Sequence, residues 1–171
     1  PDIVKMITLV KEKGWRAELI TNGIMLDEAM IKNLIKAGLD FVWVSLDGAT
    51  PESYRDVRMG DMLPTILENI STFHRLKPHK HTGNPDLGIA FVAMESNIKD
   101  LPEIIKICKK ADARKLSVSN VLPFTKELLD ERLYKRTGTD WGDHHDVEID
   151  FPRFDITDDT AATAHAEVSA G

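Results

Sequence analysis

The chain has 171 residues, enough for one domain with a substantial core. Its formal charge of −6 leaves no footprint for nucleic acid or anionic membrane, and no apolar run is long enough to span a bilayer. The single cysteine, Cys108, excludes an intramolecular disulfide and any intrachain thiolate cage for zinc or an iron–sulfur cluster, and it fits a reducing cytoplasm. The chain starts at Pro1, without a Met and already in a helical pattern, which suggests a piece of a longer protein.

Ile3, Met6, Ile7 and Val10 follow helical spacing, and Gly14 is a natural stop. Arg16–Ile20 reads as a short strand. A second helix opens with Asp27 as N-cap, carries Met30, Leu34 and Ala37 on one face, and ends at Gly38. Phe41–Ser45 is aromatic and β-branched, the composition of a buried strand. Thr50-Pro51 starts a short helix, which Gly60-Asp61 is expected to break. Leu63–Leu76 is a longer helix, with Ile66, Ile70 and Phe73 facing inward. Lys77–Pro85 reads as a polar loop, and Leu87–Met94 as a third strand. Asp100 and Glu103 form an expected capping pair ahead of Ile104, Ile105, Ile107 and Cys108. Leu116–Val121 is a fourth strand. Beyond Phe124 the pattern dissolves: Lys126–Lys135 has helical character, Glu148–Ile156 contains an extended segment at an edge, and 157–171 reads as a frayed acidic tail.

Strands about 25 residues apart, alternating with helices, mark parallel β-α units. This periodicity fits either part of a β/α barrel or a doubly wound sheet. In both, ligands lie outside the carboxyl ends of the strands. Those ends read Thr21-Asn22-Gly23, Ser45-Leu46-Asp47-Gly48, Glu95-Ser96-Asn97 and Asn120-Val121-Leu122-Pro123. Their hydroxyls, amides and carboxylates suit a polar ligand, although turns recruit the same residue types. The other candidates carry less. His79 and His81 have metal-ligand spacing but sit among lysines and prolines. His144-His145-Asp146 has the same status, Cys108 lies on an apolar helix face, and Arg55 and Arg58 read first as surface charge.

Taken in order, Ile20-Thr21-Asn22-Gly23, Leu26-Asp27-Glu28, Gly38-Leu39-Asp40, Val44 through Tyr54 and Val57-Arg58-Met59-Gly60 resemble the middle of a radical SAM core domain. Leu63–Ile70 continues the match. The resemblance covers residues 1–125, leaving 126–171 as an extension or linker with the acidic tail. Val118–Thr125 with Asp150–Phe154 resembles, more narrowly, the radical SAM/SPASM maturases linked to tungsten-containing aldehyde ferredoxin oxidoreductases. The resemblance implies an α/β fold, a partial (β/α)6 barrel incomplete on its N-terminal side, with an irregular C-terminal extension. It implies a [4Fe–4S] cluster that reductively cleaves S-adenosylmethionine (SAM) to a 5′-deoxyadenosyl radical. An electron donor such as ferredoxin or flavodoxin and a peptide, protein or cofactor-precursor substrate would complete the system. By motif position, Thr21, Asn22 and Ser45 would line the SAM pocket and Asp47 would support its wall. Val92 and Leu122 would pack on the adenine.

One departure is severe. The family's Cys-x-x-x-Cys-x-x-Cys loop and its second-strand Gly-Glu-Pro motif are absent from these residues. The expectation is therefore the SAM side of an enzyme, inactive alone, with an exposed and aggregation-prone edge. Two other classes compete: a non-catalytic β/α binding module, and another β/α-barrel enzyme such as an aldolase. The aldolase is weakened because no lysine stands at an expected strand end.

Overall fold

The computed structural model describes residues 2–54, 57–77, 85–121, 128, 131, 133 and 148–150. Helix α1 (Ile3–Glu12) leads into β1 (Glu18–Thr21), α2 (Glu28–Ala37) and β2 (Phe41–Ser45). A 3-10 turn (Pro51–Ser53), α3 (Val57–Asp61) and α4 (Leu63–Leu76) then cross to β3 (Asp86–Ala93). A second 3-10 turn (Ile98–Asp100) and α5 (Leu101–Lys110) precede β4 (Lys115–Asn120), and β5 (Glu148–Asp150) follows.

The five strands are parallel and lie side by side in chain order, β1-β2-β3-β4-β5. A doubly wound sheet reverses its strand order at a switch point. This sheet winds in one direction only, so the doubly wound alternative is set aside. One hydrophobic cluster joins Val42, Val44, Leu87, Ile89, Phe91, Leu116 and Val118 to Ile31, Leu34, Ile66, Phe73 and Ile104. The crossover helices therefore cover a single face of the sheet.

Local chemistry explains most element ends. Asp27 caps α2 through its carboxylate, which accepts the Met30 N–H at 2.8 Å. Gly38 closes the same helix at φ 82°. Asp2 accepts from Lys5 N at 3.3 Å at the head of α1.

Several expectations need correction. The first strand begins two residues later than Arg16, because Ala17 N–H is taken by the Asp40 carboxylate at 2.8 Å. The strand ends on Thr21. Strands β3 and β4 each start and stop one residue earlier than expected. The short helix expected from Thr50-Pro51 is split into the 3-10 turn and α3, and α3 ends on Gly60-Asp61 as expected. The glycine is there for space, since a Cβ at residue 60 would stand 2.4 Å from the Pro51 carbonyl oxygen. Asp100 occupies the cap position of α5 without capping it. The extended segment expected in 148–156 is seen as β5, at the sheet edge beside β4. His79, His81, the His144-His145-Asp146 run, Arg55 and most of 126–135 fall outside the described residues, as does the side chain of Arg58.

The two ends of the sheet are held differently. At the amino end, Asp40 takes Lys11 Nζ at 2.6 Å as well as Ala17 N–H. Burial alone would raise the Asp40 pKa, but Lys11 and Ala17 outweigh it and hold the carboxyl below its usual range. Asp86 pairs with Lys77 at 3.3 Å and Arg114 at 2.8 Å. The carboxyl end uses the neutral amides of Asn69 and Asn97 and the carboxylates of Asp100 and Glu131, each accepting from a turn N–H. At the β1 edge, Ile20 remains 71% exposed.

Candidate functional site

Strand pleating sorts the side chains into two sets. Leu19, Val42 and Leu87 are in register on the helix-covered face, as are Thr21, Val44, Ile89 and Leu116. The opposite face carries Ile20, Trp43, Gly88 and Lys115 in one row. One pleat nearer the carboxyl end it carries Ser45, Ala90 and Ser117, and then Val92 beside Ser119. This face is graded. At the amino end the rings of Phe41 and Trp43 meet with centroids 4.7 Å apart. They stack over Gly88, where a Cβ would fall 2.5 Å from Trp43 and 2.6 Å from Phe41. At the carboxyl end every side chain of the row is small and half-buried. Large side chains fill one end and leave a small-residue, hydroxyl-bearing floor at the other.

The turns after the strands ring this floor. Thr21 Oγ1 accepts the Gly23 N–H at 3.2 Å, and Asn22 Oδ1 accepts the Ile24 N–H at 3.2 Å. Gly23 sits at φ 80°, and a Cβ there would press within 3.0 Å of Val44 and 3.1 Å of Ile66. Asn69, from α4, donates Nδ2 to the carbonyls of Gly23 at 2.9 Å and Ile24 at 3.1 Å. After β2, Leu46 N–H continues the ladder to Ala90 O at 2.9 Å. The next turn is held by Asn97 and Asp100. Asn97 Nδ2 donates to Asp47 O and Val92 O, and Asp100 Oδ2 accepts the Ala49 N–H at 2.9 Å. Glu131, from the extension, closes the third turn by accepting Ser96 N–H at 3.0 Å.

Among the expected site residues, Ser45 and Val92 lie on the graded face and Asn22 is exposed beside it. Thr21 registers with the helix-covered row, Asp47 is half-buried in the turn, and Leu122 lies outside the described residues. Ala90 and Ser117 were not singled out from sequence; period-two alternation puts them on the faces of Val92 and Ser119, but only strand register brings them beside Ser45. Asn69 was also missed, because nothing local distinguishes a latch from an exposed helix amide.

Burial raises the pKa of the Asp47 carboxyl. Tyr54 packs against it. Its phenol is pushed up to about 12 by burial, which an approach to the Asp47 backbone offsets in part and the Asp47 charge reinforces, and its Oη makes no well-formed hydrogen bond. A carboxyl with a raised folded pKa costs stability as pH climbs from its unfolded toward its folded value. Asp47→Asn is therefore expected to raise Tm at neutral pH, with the gain disappearing below about pH 4. Thermal unfolding at two pH values checks this, and a pH-independent difference would remove burial of the charge as its cause.

A model of the Radical SAM superfamily matches residues 1–89, just over half the chain. The chain belongs to the Radical SAM superfamily. It is 30% identical over 135 residues to the "Tungsten-containing aldehyde ferredoxin oxidoreductase cofactor-modifying protein" of Pyrococcus furiosus, across 78% of this chain and 38% of that protein. A "Probable GTP 3′,8-cyclase" of Methanocaldococcus jannaschii is 33% identical over 129 residues, covering 74% of this chain and 40% of that one. The chain thus spans about two fifths of the length of these relatives. The crystal structure of Streptococcus suis SuiB bound to S-adenosylmethionine superposes with a TM-score of 0.55 at 14% identity. That match covers 73% of this chain and 28% of SuiB, and SuiB is also solved with its precursor peptide SuiA. At such low identity the likeness speaks to the fold.

Radical SAM proteins are enzymes that use SAM and a [4Fe–4S] cluster. The two groups fare differently on this chain. The floor at the carboxyl ends offers the hydroxyls of Ser45, Ser117 and Ser119 and no charged side chain, a chemistry compatible with a polar, nucleoside-type ligand. The cluster does not fit: Cys108 is fully buried on α5, burial pushes its thiol up to about 12, and no group of three metal-ligating side chains occurs among the described residues. No described helix is long and apolar enough to cross a membrane.

Proposed function

We infer that this chain supplies the SAM-binding wall of a radical SAM enzyme of the maturase type. The graded face carries the reading, because its small, half-buried side chains gather at the carboxyl ends of β2, β3 and β4, where the family resemblance expects SAM. Ser45, Ala90, Ser117 and Ser119 would form the floor, with Val92 against the adenine. Thr21 and Asn22 would contribute through the β1 turn, Asp47 would support the wall from the β2 turn, and Leu122 would complete the adenine side. In this family the cluster would supply the electron for reductive cleavage of SAM, and the residues here would bind and orient SAM. The thiolates for the cluster would come from cysteines other than Cys108.

The single direction of winding supports closure into a partial (β/α)6 barrel over 1–125, with 126–171 as the extension. A relative named for cofactor modification, and a fold neighbour solved with a precursor peptide, support a cofactor-precursor or peptide substrate. A low-potential donor such as ferredoxin or flavodoxin, an oxidoreductase-like SPASM architecture and a cytoplasmic setting belong to the same proposal. The aldolase alternative finds no support in Lys115, which lies at the amino end of β4.

Equilibrium dialysis with labelled SAM tests the wall. Saturable binding is expected. Ala90→Phe should weaken it by about tenfold or more by filling the floor, while leaving far-UV circular dichroism intact. Unchanged binding in that variant would move SAM off this face.

A further inference from the structure

We propose that Asn97, seconded by Asp100, is a positioning residue that sets the shape of the SAM wall without touching SAM. The proposal rests on the SAM-wall reading above.

Asn97 is fully buried and makes a complete set of hydrogen bonds. Its Oδ1 accepts Met94 N–H at 2.7 Å. Its Nδ2 divides two protons between Asp47 O at 2.9 Å and Val92 O at 3.0 Å. One side chain thereby fixes the main chain at the ends of both β2 and β3. Asp100, also buried, takes Ala49 N–H at 2.9 Å. The peptides on both sides of Gly48 are thus clamped from the same turn. Gly48 has no slack of its own, since a Cβ there would stand 2.5 Å from Ser53 Cβ. The network spans about fifty residues of sequence and ends on the backbone of two expected site positions, Asp47 and Val92. Neither clamp caps its own helix: the side chains of Asn97 and Asp100 make no capping bond to the elements they precede. A helix-starting turn has given up its local caps and directs them across the strand ends.

The chemistry of the amide is specific. Only a group with one acceptor and two donors satisfies Met94 N–H and two carbonyls together. In Asn97→Asp the acceptor survives, but the second oxygen faces two carbonyl oxygens. The wall should splay and SAM affinity should fall by about tenfold or more. Acidification below about pH 5 should restore part of the loss, because a protonated carboxyl regains one donor. Asp100→Asn keeps an acceptor for Ala49 and should weaken SAM by about threefold. It serves as the second probe where Asn97→Asp does not fold. Ile31→Ala, in the core of α2, should lower Tm with SAM affinity unchanged.

All variants are assayed by equilibrium dialysis with SAM at a temperature where circular dichroism shows each to be folded. Loss of affinity at residue 97 or 100, beside an unchanged Ile31→Ala, supports the latch. Wild-type affinity in both latch variants, or an equal loss in Ile31→Ala, overturns it while leaving the SAM wall standing. A wild-type chain with no saturable SAM binding defeats the wall reading itself and the latch with it.

Discussion

Anaerobic reconstitution of this chain with iron and sulfide is expected to leave it colourless, without stoichiometric [4Fe–4S] absorbance. The cluster is held by thiolates, and the chain has one thiol. That thiol is the wrong kind as well as too few. Cys108 is fully buried in the hydrophobic cluster that joins α5 to the sheet. Its pKa, pushed by burial to about 12, keeps it a neutral and poorly nucleophilic thiol at pH 8. A native-state alkylation experiment should therefore label Cys108 slowly, with labelling becoming rapid in denaturant. A stoichiometric cluster would overturn the assignment of the iron ligands to other cysteines. Fast native labelling would overturn the structural role given to Cys108.

Gly88→Ala should be among the most damaging single methyl additions in the sheet. Strand propensity favours the change by a fraction of the roughly 1 kcal/mol range of that scale. Sterics oppose it more strongly. The new Cβ would lie 2.5–2.6 Å from ring carbons of Phe41 and Trp43, both of which must move or give up their contact. Overpacking of this kind costs about 1–3 kcal/mol, which for a domain of this size lowers Tm by about 3–10 °C. Thermal unfolding of Gly88→Ala, alone and combined with Trp43→Ala, measures the coupling. The double variant should recover part of the loss, since removing the indole vacates the space. Equal Tm in Gly88→Ala and wild type would show that the rings yield freely, and the aromatic plug would then not be rigid.

Much of the fold was legible because its signals are local. Asp27 and Gly38 bound α2 through bonds made within one turn, so their types and spacing were enough. Phe41–Ser45 and Leu63–Leu76 match the structure residue for residue because apolar patterning and flanking breakers agreed. The misreadings share one cause. Asp40 reaches back to Ala17 and delays β1, and Asp100 reaches to Ala49 rather than capping α5. Each is a local residue type recruited for a distant contact.

The candidate site divides the same way. Turn residues such as Thr21, Asn22 and Asp47 advertise themselves in sequence. Ala90 and Ser117 do not, since small residues in a strand mean nothing until register places them beside Ser45.

From the sequence alone come the β-α periodicity, the polar strand ends, the family and the shortage of thiols, all properties of composition and short-range order. The winding direction, the graded face and the Asn97–Asp100 latch were decided by tertiary structure. They depend on which residues meet across about 25 to 50 positions, and short-range patterning carries no record of such partners.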